Sequence, residues 1–75
     1  MTSKIQLYNQ IKKDLTNHKF IVSEFQEIAF GLQFFIKLDD QTGMIRIYES
    51  KKGVKVDFSQ IKDLVFLQKI KLLTQ

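Results

Sequence analysis

The chain has 75 residues, a formal net charge of +4 and a pI near 9.5, and 44% of its residues are hydrophobic. It is therefore one small domain, too apolar to be disordered. The absence of cysteine excludes disulfide staples and thiolate metal sites and points to a reducing cytoplasm.

The first element reads as a helix from Lys4 to Asn17. Ile5, Tyr8, Ile11 and Leu15 recur at spacings of three and four, with Lys4, Lys12, Lys13 and Asp14 elsewhere around the wheel. Ser3 and Gln6 have capping-box spacing, in which each side chain satisfies an end N–H group. Asn17 and His18 suit the C-terminal end. From Lys19 to Ile28 the pattern alternates through Phe20 and Val22 but is interrupted by Ser23, Glu24, Gln26 and Glu27. That predicts an outer strand with a break or bulge, followed by a bend at Ala29–Phe30 that Gly31 permits.

Leu32, Phe34, Ile36 and Leu38 then alternate with Gln33, Phe35, Lys37 and Asp39, the clearest period-two run in the chain. Asp39 to Gly43 reads as a hairpin loop with Gly43 at positive φ. Ile45 and Ile47 alternate with Met44, Arg46 and Tyr48, Ser50-Lys51-Lys52-Gly53 makes the next turn, and Val54, Val56 and Phe58 alternate with Lys55 and Asp57. The chain closes with a second helix, for which Asp57 and Gln60 offer a capping box and Val56 and Ile61 a hydrophobic staple. The expected fold class is α+β: a single α-β-β-β-β-α domain over 1–75, with a four-stranded antiparallel meander and both helices on one sheet face.

The last helix is apolar on two sides. Ile61, Leu64, Val65 and Leu72 share one stripe, which should cover the sheet. Phe66, Ile70 and Leu73 form the opposite stripe, which packs on the first helix or serves as an interface with a partner protein or a second copy of the chain.

Period two also sorts the strands into faces. Leu32, Phe34, Ile36, Leu38, Ile45, Ile47, Val54, Val56 and Phe58 form the core face. The opposite face carries Gln33, Phe35, Lys37, Arg46, Tyr48, Lys55 and Asp57 and is left open. Aromatic rings that stack on bases, beside cations that meet phosphates, are the usual means of holding single-stranded nucleic acid. The candidate nucleic-acid-binding residues are accordingly Gln33, Phe35, Lys37, Arg46, Tyr48 and Lys55, with Lys51 and Lys52 extending a basic rim. The competing readings of this face are a protein contact through Phe35 and an ordinary solvated sheet surface.

Catalytic chemistry is not expected. His18 is the only histidine, lacks metal-ligand spacing, and is read as a helix-end imidazole. Asp39 and Asp40 are read as turn residues that use local hydrogen bonds. No phosphate-cradling glycine loop or nucleophile motif occurs, so no cofactor or metal is expected. The start, Met1 to Leu7, lacks the form of a secretory signal, and the apolar runs fall short of the roughly 18 residues of a membrane span.

The run Gly31-Leu32-Gln33-Phe34-Phe35-Ile36-Lys37, then Ile45-Arg46-Ile47-Tyr48, then Lys51-Lys52-Gly53-Val54-Lys55-Val56, set between two helices, resembles a half-repeat of the TATA-binding-protein fold. Similar repeats occur in the N-terminal domains of type III ribonucleases H and in RNase LS-type toxins. The resemblance covers the second to fourth strands. It implies an accessory domain that grips a duplex or hybrid with its open sheet face through Phe35, Arg46, Tyr48 and Lys55; a copy on its own is then either a domain cut out of a larger protein or one that pairs with itself to make a full saddle. Asp57 departs from that pattern by placing a negative charge at the edge of the surface.

Overall fold

A computed structural model describes residues 3–74. Met1, Thr2 and Gln75, the ends of the expected 1–75 domain, lie outside the described residues. The elements in chain order are α1 (Lys4–Thr16), β1 (Ile21–Val22), β2 (Gln26–Ile28), β3 (Gly31–Leu38), β4 (Gln41–Ser50), β5 (Gly53–Asp57) and α2 (Leu64–Leu73). The class is α+β, as expected, with one antiparallel sheet in the order β1-β3-β4-β5 and β2 also on β3.

Helix α1 begins and ends by local chemistry. Ser3 Oγ accepts from Gln6 N–H, and Gln6 Oε1 accepts from Ser3 N–H. At the other end Lys19 takes φ 70, so that Phe20 N–H reaches the Leu15 carbonyl at 3.1 Å and Lys19 N–H the Thr16 carbonyl at 3.2 Å. This is a Schellman closure with lysine where glycine is usual, and Leu15 and Phe20, both buried, supply its apolar contact. His18 sits at this end, its Nδ1 2.9 Å from the Asp14 carbonyl.

The interrupted outer strand is the pair β1 and β2. Between the Val22–Ile36 and Gln26–Gln33 partners it holds Ser23, Glu24 and Phe25, where β3 holds only Phe34 and Phe35. The extra residue is a bulge, and Ser23 repairs the ladder across it. Its N–H donates to the Phe35 carbonyl (2.9 Å), while its hydroxyl accepts from Phe35 N–H (2.9 Å) in place of a carbonyl. Its own carbonyl accepts the Tyr8 hydroxyl at 2.6 Å, which ties α1 to the bulge.

Two glycines serve differently from expectation. At the Ala29–Phe30 bend it is Phe30 that takes positive φ (65°). Gly31 is needed instead for close approach, because a Cβ there would lie 2.1 Å from the Ile47 carbonyl oxygen. The loop expected over Asp39 to Gly43 is only Asp39–Asp40, with Asp39 at φ 53, and Gly43 pairs with Ile36 inside β4. A Cβ at Gly43 would meet Ile61 Cγ1 at 3.1 Å, so this glycine is a socket for Ile61.

The C-terminal helix differs most. It starts at Leu64 with Asp63 as N-cap, the carboxylate accepting from Val65 N–H and Phe66 N–H. Asp57, expected as the cap, instead accepts Ser59 N–H at 2.9 Å in the turn after β5. The two stripes expected for α2 do not sort that way: Ile61 stays in the core, but the rest of its stripe turns outward. Phe66 (2% exposed) and Ile70 (0%) lie in the core and Leu73 is partly buried, whereas Leu64, Val65 and Leu72 are exposed. Phe66, Ile70 and Leu73 therefore form no free interface. Phe66 stacks on Phe20 with ring centroids 5.9 Å apart, which turns its side of the helix inward, while Ile61, ahead of the first helical residue, seats separately in the Gly43 socket. One core unites Tyr8, Ile11 and Leu15 of α1 with Phe66 and Ile70 of α2 and with Leu32, Phe34, Ile36, Ile45 and Ile47 of the sheet. Both helices thus lie on the same sheet face. Among the described residues no helix is long and apolar enough to cross a membrane.

Candidate nucleic-acid interface

The strand register turns the open face into rows. Tyr48 and Lys55 are partners in one row; Gln26, Gln33, Arg46 and Asp57 form the next; Phe35 and Met44 the third; Ile21, Lys37 and Thr42 the fourth. Side chains of these residues share the face opposite the helices, because their strand neighbours point into the core.

The second row is a hydrogen-bonded ribbon. Arg46 Nε donates to Gln33 Oε1 at 3.3 Å, and Gln33 Nε2 donates to Gln26 Oε1 at 3.4 Å. Asp57 closes the row. Its carboxyl is held below the ordinary carboxylate value chiefly by the Ser59 backbone N–H, then by the Ser59 side chain, with burial opposing and Arg46 and Lys55 adding smaller attractions. The anion beside Arg46 reduces what that guanidinium offers to a phosphate, while Lys37 and Lys55 are exposed.

Phe35 stands 53% exposed on the central strand β3. Its ring adjoins Met44 across the strand pair and lies one row from Lys37 and one from Arg46. Tyr48, the second expected stacking residue, is half-buried and four residues along β4 from Met44, about 13 Å away at ~3.3 Å per residue. The two rings are therefore not one stacking platform but two separate posts with the Gln33–Arg46 row between them. Lys51 and Lys52 occupy the exposed β4–β5 turn, at the Tyr48 end and far from Phe35.

Two apolar residues of this face, besides the polar Gln26 and Thr42, were not singled out from the sequence. Met44 alternates with Arg46 and Tyr48 and could have been placed by period two alone. Ile21, 67% exposed and opposite Lys37, was obscured by the bulge that follows it. Together with Phe35 they form an apolar patch beside the exposed Lys37. Among the described residues no group of three or more His, Asp or Glu side chains is placed to hold a metal ion. Comparison with protein-family models, curated proteins and solved structures finds no match for this chain.

Proposed function

We propose that the chain is a non-catalytic module of the cytoplasm that binds single-stranded nucleic acid on the open face of its sheet. The observation that carries this reading is Phe35, an exposed aromatic in the middle of a central strand, flanked by Lys37 and Arg46 on a face that neither helix covers. An exposed ring on a flat sheet accepts an unpaired base on its face, and such a stack contributes roughly 1–3 kcal/mol. Tyr48 offers a second stack for a base further along the strand, not the adjacent one, with Arg46 placed between them for an intervening phosphate. The pattern resemblance to the TATA-binding-protein half-repeat points to the same face, though towards duplex or hybrid.

The test is fluorescence anisotropy with labelled single-stranded, duplex and hybrid oligonucleotides at low salt. Single strands should bind most tightly. Three phosphate contacts, at Lys37, Arg46 and Lys55, give a slope of about −2 for log affinity against log salt. Phe35→Ala should weaken binding by about tenfold or more while the melting temperature stays close to that of the parent. No binding by any of the three ligands at low salt would end the proposal.

A further inference from the structure

β5 is an edge strand with an unusual order of side chains. Val54, Lys55, Val56, Asp57 and Phe58 run apolar, basic, apolar, acidic, apolar. In the two-residue hairpin at Lys51–Lys52, Ser50 and Gly53 close the ladder, so Lys55 and Asp57 bond to β4 and the N–H and C=O of Val54 and Val56 point away from the sheet. The same alternation holds on the central strand β3, where Phe35 directs both backbone groups away from β4 to Ser23. Among the described residues no hydrogen bond reaches those outward groups of Val54 and Val56. Beside this edge lies an apolar groove of ≈ 220 Å³ lined by Leu7 and Ile11 of α1, Val56 and Phe58, and Lys71 and Thr74. That is smaller than sites that take small molecules, and it adjoins the free strand.

We infer that β5 pairs antiparallel with β5 of a second copy about a two-fold axis at Val56, joining the two sheets into one. The register follows from charge. With Val56 opposite Val56, Lys55 of each copy faces Asp57 of the other on the open face, and Val54 faces Phe58 on the core side above the groove. Centred one residue earlier, Lys55 would oppose Lys55, which is unfavourable. A segment that matches its own reverse in polarity and complements it in charge fits an isologous contact, in which one patch meets itself. It also gives Asp57 a partner that the nucleic-acid reading leaves unexplained, and it does not depend on that reading. A seam of five residues is short for the roughly 1,200 Å² of a stable interface. The dimer is therefore a weak one, populated at high protein concentration.

The test is a charge exchange read by sedimentation equilibrium and NMR diffusion up to millimolar protein. The parent chain should pass from monomer to dimer with rising concentration, and the Val54 and Val56 amides should gain protection from exchange while Lys55, already bonded, changes little. K55D sets carboxylates against each other and D57K sets ammonium groups against each other. Each variant alone should dimerise about tenfold more weakly, and an equimolar mixture of the two should recover dimer. Val56→Pro removes the N–H on the axis at a free edge, where proline is tolerated, and should abolish dimer without unfolding the domain. A strict monomer throughout, a mixture that fails to recover, or a dimer that survives Val56→Pro each overturns the inference.

Discussion

The two faces of this sheet are built from the same strands and are separated by one residue at every step, yet they follow different rules. On the core face Phe34, Ile36, Ile45 and Ile47 are sealed between two helices. On the other face their immediate neighbours Phe35, Lys37, Arg46 and Tyr48 have no covering layer among the described residues. Phe34 and Phe35 are adjacent, identical and on the same strand. What separates them is surroundings, so a residue type on its own says little about its role in a sheet, and parity along the strand says a great deal.

The sharpest way to break this comparison is to truncate the two phenylalanines in turn. Phe34→Ala removes a fully buried ring that packs edge-on against Tyr8 at 4.9 Å. It should cost about 3–5 kcal/mol, most or all of the stability of so small a domain, in a denaturant melt. Phe35→Ala should move the same melt by less than ~1 kcal/mol and act on binding instead. Equal losses from the two would mean that the open face is covered. Gly31→Ala tests the sheet from its backbone. The added methyl meets the Ile47 carbonyl of the neighbouring strand, and a loss of about 1–3 kcal/mol in thermal unfolding is expected. Tyr8→Phe removes only the hydroxyl held by the Ser23 carbonyl. It should cost about 1 kcal/mol and speed amide exchange in β1 and β2 ahead of β3 and β4.

The smallest effect belongs to pH. The folded Asp57 carboxyl titrates below its ordinary value of 3.8, so its contribution is present above that value and lost as pH falls through the folded one. Asp57→Asn should flatten the acid limb of a stability–pH curve only slightly, because the group is solvent-screened.

Most of the fold was legible from periodicity. α1, the three long strands and both sheet faces followed from spacings of three to four and of two, since one-sided burial imposes those periods. What was not legible lay where two local signals competed. Asp57-Ser59-Gln60 and Asp63-Val65-Phe66 both offer a carboxylate to nearby N–H groups, and only tertiary packing of Ile61 decides that the helix starts at the second. Leu64, Val65 and Leu72 are as apolar as Phe66, Ile70 and Leu73, so a helical wheel cannot say which stripe faces in. At the candidate site, parity supplied the exposed residues, but the separation between Phe35 and Tyr48 needed the strand register.

The Ile61 socket at Gly43 bears on how the molecule assembles. A notch shaped by Gly43, opposite Ile36, exists only once β3 and β4 have zipped together. The hairpin is a product of local sequence and forms early, whereas the C-terminal helix has nowhere to seat its leading plug until then. Such an order makes that helix the last part to dock and the first to detach. Its backbone amides should trade deuterium at a lower opening free energy than those of β3 and β4, and a single shared opening energy for all of them would refute the order.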